Sequence, residues 1–140
     1  MDADGSHDPQ YLQEMIKALS NYDIVVGSRY VGEGCTYDNT FIRKKISTIY
    51  NKLVKTILNI NILDSMSGYI VAKKSVFSHY SFPSNYKFML PLYTQNPKYK
   101  ICEYPIIFHR RKAGESKVSF LEGFCILWQV LKLRVKNICL

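Results

Sequence analysis

The stretch DIVVGSRY, residues 23–30, constrains the fold of this chain more than any other segment. Ile24, Val25 and Val26 form an unbroken apolar run that Gly27 and Ser28 close, which suits a short strand covered on both faces. Strands of that kind belong to parallel sheets, whose crossover connections lay helices over both faces. An α/β fold follows, with Arg29 and Tyr30 delivered to the carboxyl-terminal edge of the sheet. Open α/β sheets bind their ligands at that edge.

The flanking segments agree with this class. Asp8-Pro9 is an N-cap followed by a first-turn proline, and Tyr11, Leu12, Met15, Ile16 and Leu19 recur at helical spacing, so a helix is predicted over residues 9–20. VGEGCTYDNT clusters Gly, Asp and Asn and is predicted as a loop. Phe41, Ile42, Ile46, Ile49, Leu53, Val54, Ile57 and Leu58 then mark a long amphipathic helix whose other face carries Arg43, Lys44, Lys45, Lys52 and Lys55. DSMSGYIVAKKSVF should make a turn, a short strand and the start of another helix. YKICEYPIIFHRR should be a strand with Pro105 near its edge. Residues 119–135 are predicted as a helix, apolar on most faces, inside an apolar C-terminal stretch of 119–140.

No linker, repeat or low-complexity segment divides the 140 residues, so one domain is expected. With 19 Lys and Arg against 11 Asp and Glu the net charge is +8, which favours an anionic partner. Nucleic acid is not the expected one, because the aromatic residues fall mainly at core spacing and no binding module is present. Cys35, Cys102, Cys125 and Cys139 lie far apart without a C-x-x-C, which indicates neither a zinc site nor a disulfide framework. No apolar run approaches the roughly 18 residues needed to span a bilayer, so contact with a membrane would be made from its surface.

The order of the pieces carries a family signal that none of them carries alone. MDADGSHDP, then DIVVGSRY, IRKKIS, DSMSGY and YPIIFHRRKAGESKVS resemble, in sequence and spacing, the downstream part of dolichol-phosphate mannosyltransferases and related polyprenyl-phosphate glycosyltransferases. These are family-2 enzymes with the GT-A fold, a Rossmann-like fold for nucleotide-diphospho-sugar transfer. The resemblance implies that residues 1–140 are a partial domain, the C-terminal metal and acceptor half, with the N-terminal nucleotide-binding half missing. A truncated, split or late-started gene would give such a chain, and the isolated chain is then expected to be inactive.

The resemblance also assigns roles. Asp2 and Asp4 are hard oxygen donors suited to Mg²⁺ or Mn²⁺, and the family places them on the metal. Ser6 is a weak third candidate, and His7 is expected to be structural. Asp4, Arg111 and Lys117 are the implied catalytic residues, and Arg29, Arg43, Ser47, Gly114 and Ser116 the implied phosphate contacts. Arg suits that task because its planar fork can hold phosphate oxygens bidentately.

The implied donor is a sugar nucleotide, GDP-mannose, and the implied acceptor is dolichyl or another polyprenyl phosphate. The setting would be peripheral, on the cytoplasmic face of a membrane (the endoplasmic reticulum in a eukaryote), with a separate N-terminal half or a membrane-anchoring subunit as possible partners. An acceptor phosphate is largely ionised near neutral pH, its second pKa being about 6, so it can attack without a general base. That bears on Pro91, which stands where many relatives carry Glu. Ile70 replaces a usual Arg, and Arg110 a usual Asp. These departures keep a second function open, a non-catalytic remnant or regulatory subunit of such an enzyme.

Overall fold

The computed structural model describes residues 5–37, 41–78, 98–109 and 120–138. In chain order these form α1 (Gln10–Ala18), β1 (Ile24–Ser28), β2 (Cys35–Thr36), α2 (Phe41–Leu58), β3 (Ile70–Ala72), α3 (Lys74–Phe77), β4 (Ile101–Pro105), β5 (Ile107–Phe108) and α4 (Phe120–Ile138). The segment carrying Pro91 lies outside the described residues.

β1 is the centre of the molecule. All five of its residues are buried, and it lies between β3 and β4 in a three-stranded sheet. Successive strand side chains point to opposite faces. Ile24 and Val26 accordingly join Ile62 and Val76 on one face, while Val25 joins Met15, Tyr69 and Ile106 on the other. Burying an aliphatic side chain of this size contributes about 1.5–3 kcal/mol, so a polar replacement at any of these three positions removes a layer's anchor.

The sheet is mixed, whereas the sequence pointed to a parallel one. β4 runs parallel to β1, from Ile24 opposite Ile101 to Ser28 opposite Pro105. β3 runs antiparallel, with Ile24 opposite Ala72 and Val26 opposite Ile70. The reversal has a local cause in the turn between α2 and β3. Ser67 Oγ donates to the Gly27 carbonyl at 2.6 Å, and Gly27 N–H donates to the Tyr69 carbonyl at 2.7 Å. The chain therefore enters β3 at the carboxyl end of β1 and can only run back along it.

The predicted loop VGEGCTYDNT also contains more order than expected. Cys35 and Thr36 form β2, which pairs in parallel with β5, Cys35 opposite Ile107 and Thr36 opposite Phe108. The predicted strand through Pro105 is correspondingly divided. β4 ends at Pro105, and Ile106 N–H donates to the Ser28 carbonyl before β5 begins.

Helix ends follow their sequence signals closely. Asp8 Oδ1 accepts Gln10 N–H at 2.9 Å, so Asp8 caps α1 from one residue before the Pro9 N-cap position. α2 stops at Asn59, whose φ of 53° is left-handed, and Ile60 N–H reaches back to the Lys55 carbonyl in a Schellman-type closure. α4 lies against α2 through Val130, Val54 and Leu58, with Ile57 and Leu133 beside them. Its opposite side leaves Trp128, Leu131 and Val135 exposed.

At the amino end of β1, Asp23 ties three strands together. Its carboxylate accepts Lys100 N–H at 2.9 Å and Lys73 Nζ at 3.0 Å. The backbone N–H of Lys100, and then Lys73, hold the Asp23 pKa below its ordinary value. A lowered carboxylate pKa stabilises the fold above the unfolded value near 3.9 and loses that contribution as pH falls through the folded value. Urea unfolding should therefore show wild type more stable than Asp23→Asn at pH 6, with the difference vanishing in strong acid.

Gly34 marks a close backbone approach. A Cβ there would lie 2.5 Å from the Ser28 carbonyl oxygen and 2.9 Å from that of Val31, both of them main chain. Gly34→Ala is expected to lower stability by about 1–3 kcal/mol through overpacking, read as a shift of the urea midpoint.

Candidate functional site

The carboxyl end of β1 delivers Arg29 and Tyr30, as the apolar run predicts. Arg29 meets a carboxylate there. Its Nε donates to Asp64 Oδ2 at 2.8 Å, its Nη2 donates to Asp64 Oδ1 at 2.8 Å, and its backbone N–H donates to Asp64 Oδ2 at 3.0 Å. The Asp64 side chain is 0% exposed and that of Arg29 14%. Burial alone would lower the Arg29 pKa, but the hydrogen bonds and charge of Asp64 outweigh it, and the pKa ends above its ordinary value. The guanidinium carbon also sits 5.5 Å from the ring centroids of both Tyr30 and Phe108. Arg29 is thus a fixed cation, held at its Nε edge and flanked by two aromatic rings.

Asp64 is held in turn. Glu103, half-buried on β4, accepts the backbone N–H of Asp64 and of Leu63 at 2.8 Å each, one on each carboxylate oxygen. The rest of the DSMSGY turn is pinned as firmly. Ser65 Oγ donates to Asn51 Oδ1 on α2 at 2.9 Å, and Tyr69 O–H donates to the Asp8 carbonyl at 2.9 Å. One turn therefore fixes β1, β4 and α2 relative to one another.

Ser47 joins Arg29 through Tyr30, whose hydroxyl donates to Ser47 Oγ at 2.8 Å. Arg43 lies four residues earlier on α2, one turn away along the same helix; its side chain lies outside the described residues. Beyond Ser47, a cleft of about 310 Å³ runs between Tyr30, Thr48, Asn51, Lys52 and Leu63.

Residues after the acidic pair are built into the core. Ser6 is fully buried, and His7 is 5% exposed with its ring 4.9 Å from that of Tyr69 and 5.2 Å from that of Phe108. His7 also bridges to Phe108, and His109 N–H donates to the Ser6 carbonyl at 3.0 Å. The structural role expected of His7 is what its packing shows. The two described segments that lead along the chain to Asp4 and to Arg111 are thus hydrogen-bonded to each other. Asp2, Asp4, Arg111, Gly114, Ser116 and Lys117 themselves lie outside the described residues. Among the described residues no group of three His, Cys, Asp or Glu could hold a metal ion.

Residues 1–81 match the sequence profile of Glycosyl transferase family 2. The chain belongs to glycosyl transferase family 2. This family-2 chain is 31% identical over 125 residues to an undecaprenyl-phosphate mannosyltransferase of Micrococcus luteus, an alignment covering 85% of the chain and 51% of the relative. It is 31% identical over 126 residues to a polyprenol monophosphomannose synthase of Mycolicibacterium smegmatis, covering 85% and 48%. With a dolichol-phosphate mannosyltransferase of Pyrococcus furiosus it shares 32% over 138 residues, covering 95% and 39%. The chain spans about half the length, or less, of these curated relatives.

Of the expected phosphate contacts, the structure brings Arg29 and Ser47 together through Tyr30. Sequence reasoning missed Asp64 and Glu103. A signal was present for both: an acid interrupts the apolar strand ICEYP, and another opens the DSMSGY turn. Acids rarely lie inside without partners.

The Tyr30–Ser47 contact makes a direct prediction. Tyr30→Phe removes the donor to Ser47 Oγ and should cost about 0.5–1.5 kcal/mol. Urea unfolding of the single and double variants with Ser47→Ala should show the two losses to be less than additive.

Proposed function

We propose that this chain forms the metal- and acceptor-facing half of a GT-A mannosyltransferase that moves mannose from GDP-mannose to dolichyl or another polyprenyl phosphate. What supports this most is one coincidence. Three relatives named for mannose transfer to, or for making, polyprenyl phosphate sugars align over most of the chain, and Arg29, at a family phosphate position, is buried and pre-oriented.

In this reading the acceptor phosphate lies between Arg29, Arg43 and Ser47. Arg29 spends its Nε–H and one Nη2–H on Asp64, which leaves three of its five N–H groups for phosphate oxygens. Pre-orientation matters because a donor that is already fixed needs no reorganisation as charge shifts from the attacking oxygen to the leaving diphosphate. The dianionic acceptor attacks the sugar carbon with its own oxygen, and no side chain has to remove a proton. Arg111 and Lys117 compensate the departing diphosphate, with Gly114 and Ser116 as further phosphate contacts.

The donor set at the chain start suits a hard cation. Ser6 and His7 are turned into the core, so Asp2 and Asp4 are the residues that would hold the ion, as the family resemblance implies. Mg²⁺ or Mn²⁺ bound there would supply Lewis-acid neutralisation of the diphosphate.

Membrane contact would be peripheral. No helix among the described residues is long and apolar enough to cross a membrane. α4 nevertheless exposes Trp128, Leu131 and Val135 at helical spacing, with Lys132 Nζ 5.5 Å over the Trp128 ring and Arg134 also exposed. Apolar residues flanked by cations suit the headgroup region of the cytoplasmic face.

Two experiments test this function. In the full-length protein, mannose transfer from GDP-mannose to a polyprenyl phosphate should require Mg²⁺ or Mn²⁺ and vanish in Asp4→Asn. Arg111→Ala and Lys117→Ala should each lower it about 10- to 100-fold, the loss of one charge-assisted contact. No transfer under any metal would leave a non-catalytic remnant or regulatory subunit. In the second, sedimentation with vesicles should strengthen with anionic lipid, weaken with salt, and fall when Lys132, Arg134 and Lys136 are neutralised; no lipid-dependent sedimentation at low salt would make the outer face of α4 a protein contact.

A further inference from the structure

We propose that Asp64, held by Glu103, is the positioning residue that aims Arg29 at the acceptor phosphate. The proposal rests on the function above and deepens it. The contact chain runs from β4 to the site without a gap. Glu103 receives two backbone N–H groups from the turn, Asp64 receives three N–H groups from Arg29, and both carboxylate oxygens of each acid are engaged.

The geometry chooses which edge of the guanidinium is presented. Asp64 occupies the Nε side, so the paired N–H groups at the Nη end point away from it. A planar fork held this way can accept two oxygens of one phosphate in a single orientation. Without Asp64 the same cation would keep its charge and lose its aim. The Tyr30 and Phe108 rings, each with its centroid 5.5 Å from the guanidinium carbon, accept no N–H bond that would fix rotation within the plane, so they cannot replace the carboxylate.

The same turn also sets the spacing of the site. Ser67 is bonded to Gly27 of β1, and Ser65 to Asn51 of α2, one turn beyond Ser47. Moving Asp64 would move Arg29 relative to Ser47, and the 2.8 Å Tyr30–Ser47 contact would report it. A buried ion pair can instead be a mere structural element, often no better than an apolar pair. The two roles differ in what they do to ligand binding by folded protein.

The test uses the full-length protein and a short soluble acceptor, citronellyl phosphate, titrated by calorimetry, with GDP-mannose as the comparison ligand. Circular dichroism first establishes that each variant is folded at the titration temperature. Asp64→Asn should weaken citronellyl phosphate binding about tenfold or more, the scale of one charge-assisted contact, and leave GDP-mannose binding unchanged. Glu103→Gln should shift it in the same direction by less. Asp64→Asn combined with Arg29→Ala should bind no more weakly than Arg29→Ala alone. If Asp64→Asn does not fold, Glu103→Gln and Asp64→Glu carry the same comparison.

Unchanged or tighter citronellyl phosphate binding in the folded variants, with only the melting temperature lowered, would overturn the proposal and make the pair purely structural. That result can coexist with normal mannose transfer by wild type, in which case the proposed function stands without it. The predicted loss of binding in a protein that transfers no mannose would instead keep the positioning role and reject the reaction. Wild type that does not bind citronellyl phosphate would overturn both.

Discussion

A buried ion pair organises this molecule. Arg29 and Asp64 lie 35 residues apart in sequence, yet the guanidinium and the backbone N–H of Arg29 both close on one carboxylate. Removing two charges from water costs several kcal/mol per ion unless geometry and further hydrogen bonds compensate. Here both oxygens of Asp64 are used, and its own turn is clamped by Glu103. The consequences are topological. Because the turn after α2 is fixed to the carboxyl end of β1, β3 must run antiparallel, and α2 is drawn against the sheet with Ser47 facing Tyr30.

The function proposed for the chain follows from where that pair sits. A cation buried to 14% exposure and already paired is poorly placed to attract ligands over a distance, but well placed to orient one that has arrived. Long-range attraction can come from the net charge of +8 and from Lys44, Lys45 and Lys52, which are exposed on α2. The division of labour suits the lipid phosphate proposed as acceptor.

How much was legible in the sequence depended on whether the signal was local. β1, α1, α2 and α4 follow as elements from apolar spacing and from caps such as Asp8, all contained within a few turns of chain. The inward face of α2 was misread, because Ile46, Ile49 and Leu53 are exposed while the polar Asn51, bonded to Ser65, is buried with Val54 and Leu58. The pairing of β2 with β5 could not be seen, since two residues per strand carry no periodicity and the partner lies about 70 residues away. The direction of β3 was hidden for a similar reason: it is set by Ser67 and Asp64 reaching β1, not by Ile70–Ala72. At the candidate site, Arg29 and Ser47 were named by resemblance, and the fold joins them through Tyr30. Asp64 and Glu103 were visible only as acids in unusual places, and their partners appear only once the chain is folded.

The central claim is that Arg29, fixed by Asp64, grips the phosphate of a polyprenyl phosphate acceptor. The most direct measurement is the side-chain ¹H–¹⁵N spectrum of the protein, with the Arg29 Nε–H assigned by comparison with Arg29→Lys and followed during addition of citronellyl phosphate. The account predicts a sharp, slowly exchanging Arg29 Nε–H before addition, and a saturable shift of that signal together with the Ser47 and Thr48 amides. A resonance that stays still while shifts saturate elsewhere on the protein would place the acceptor away from Arg29 and contradict it.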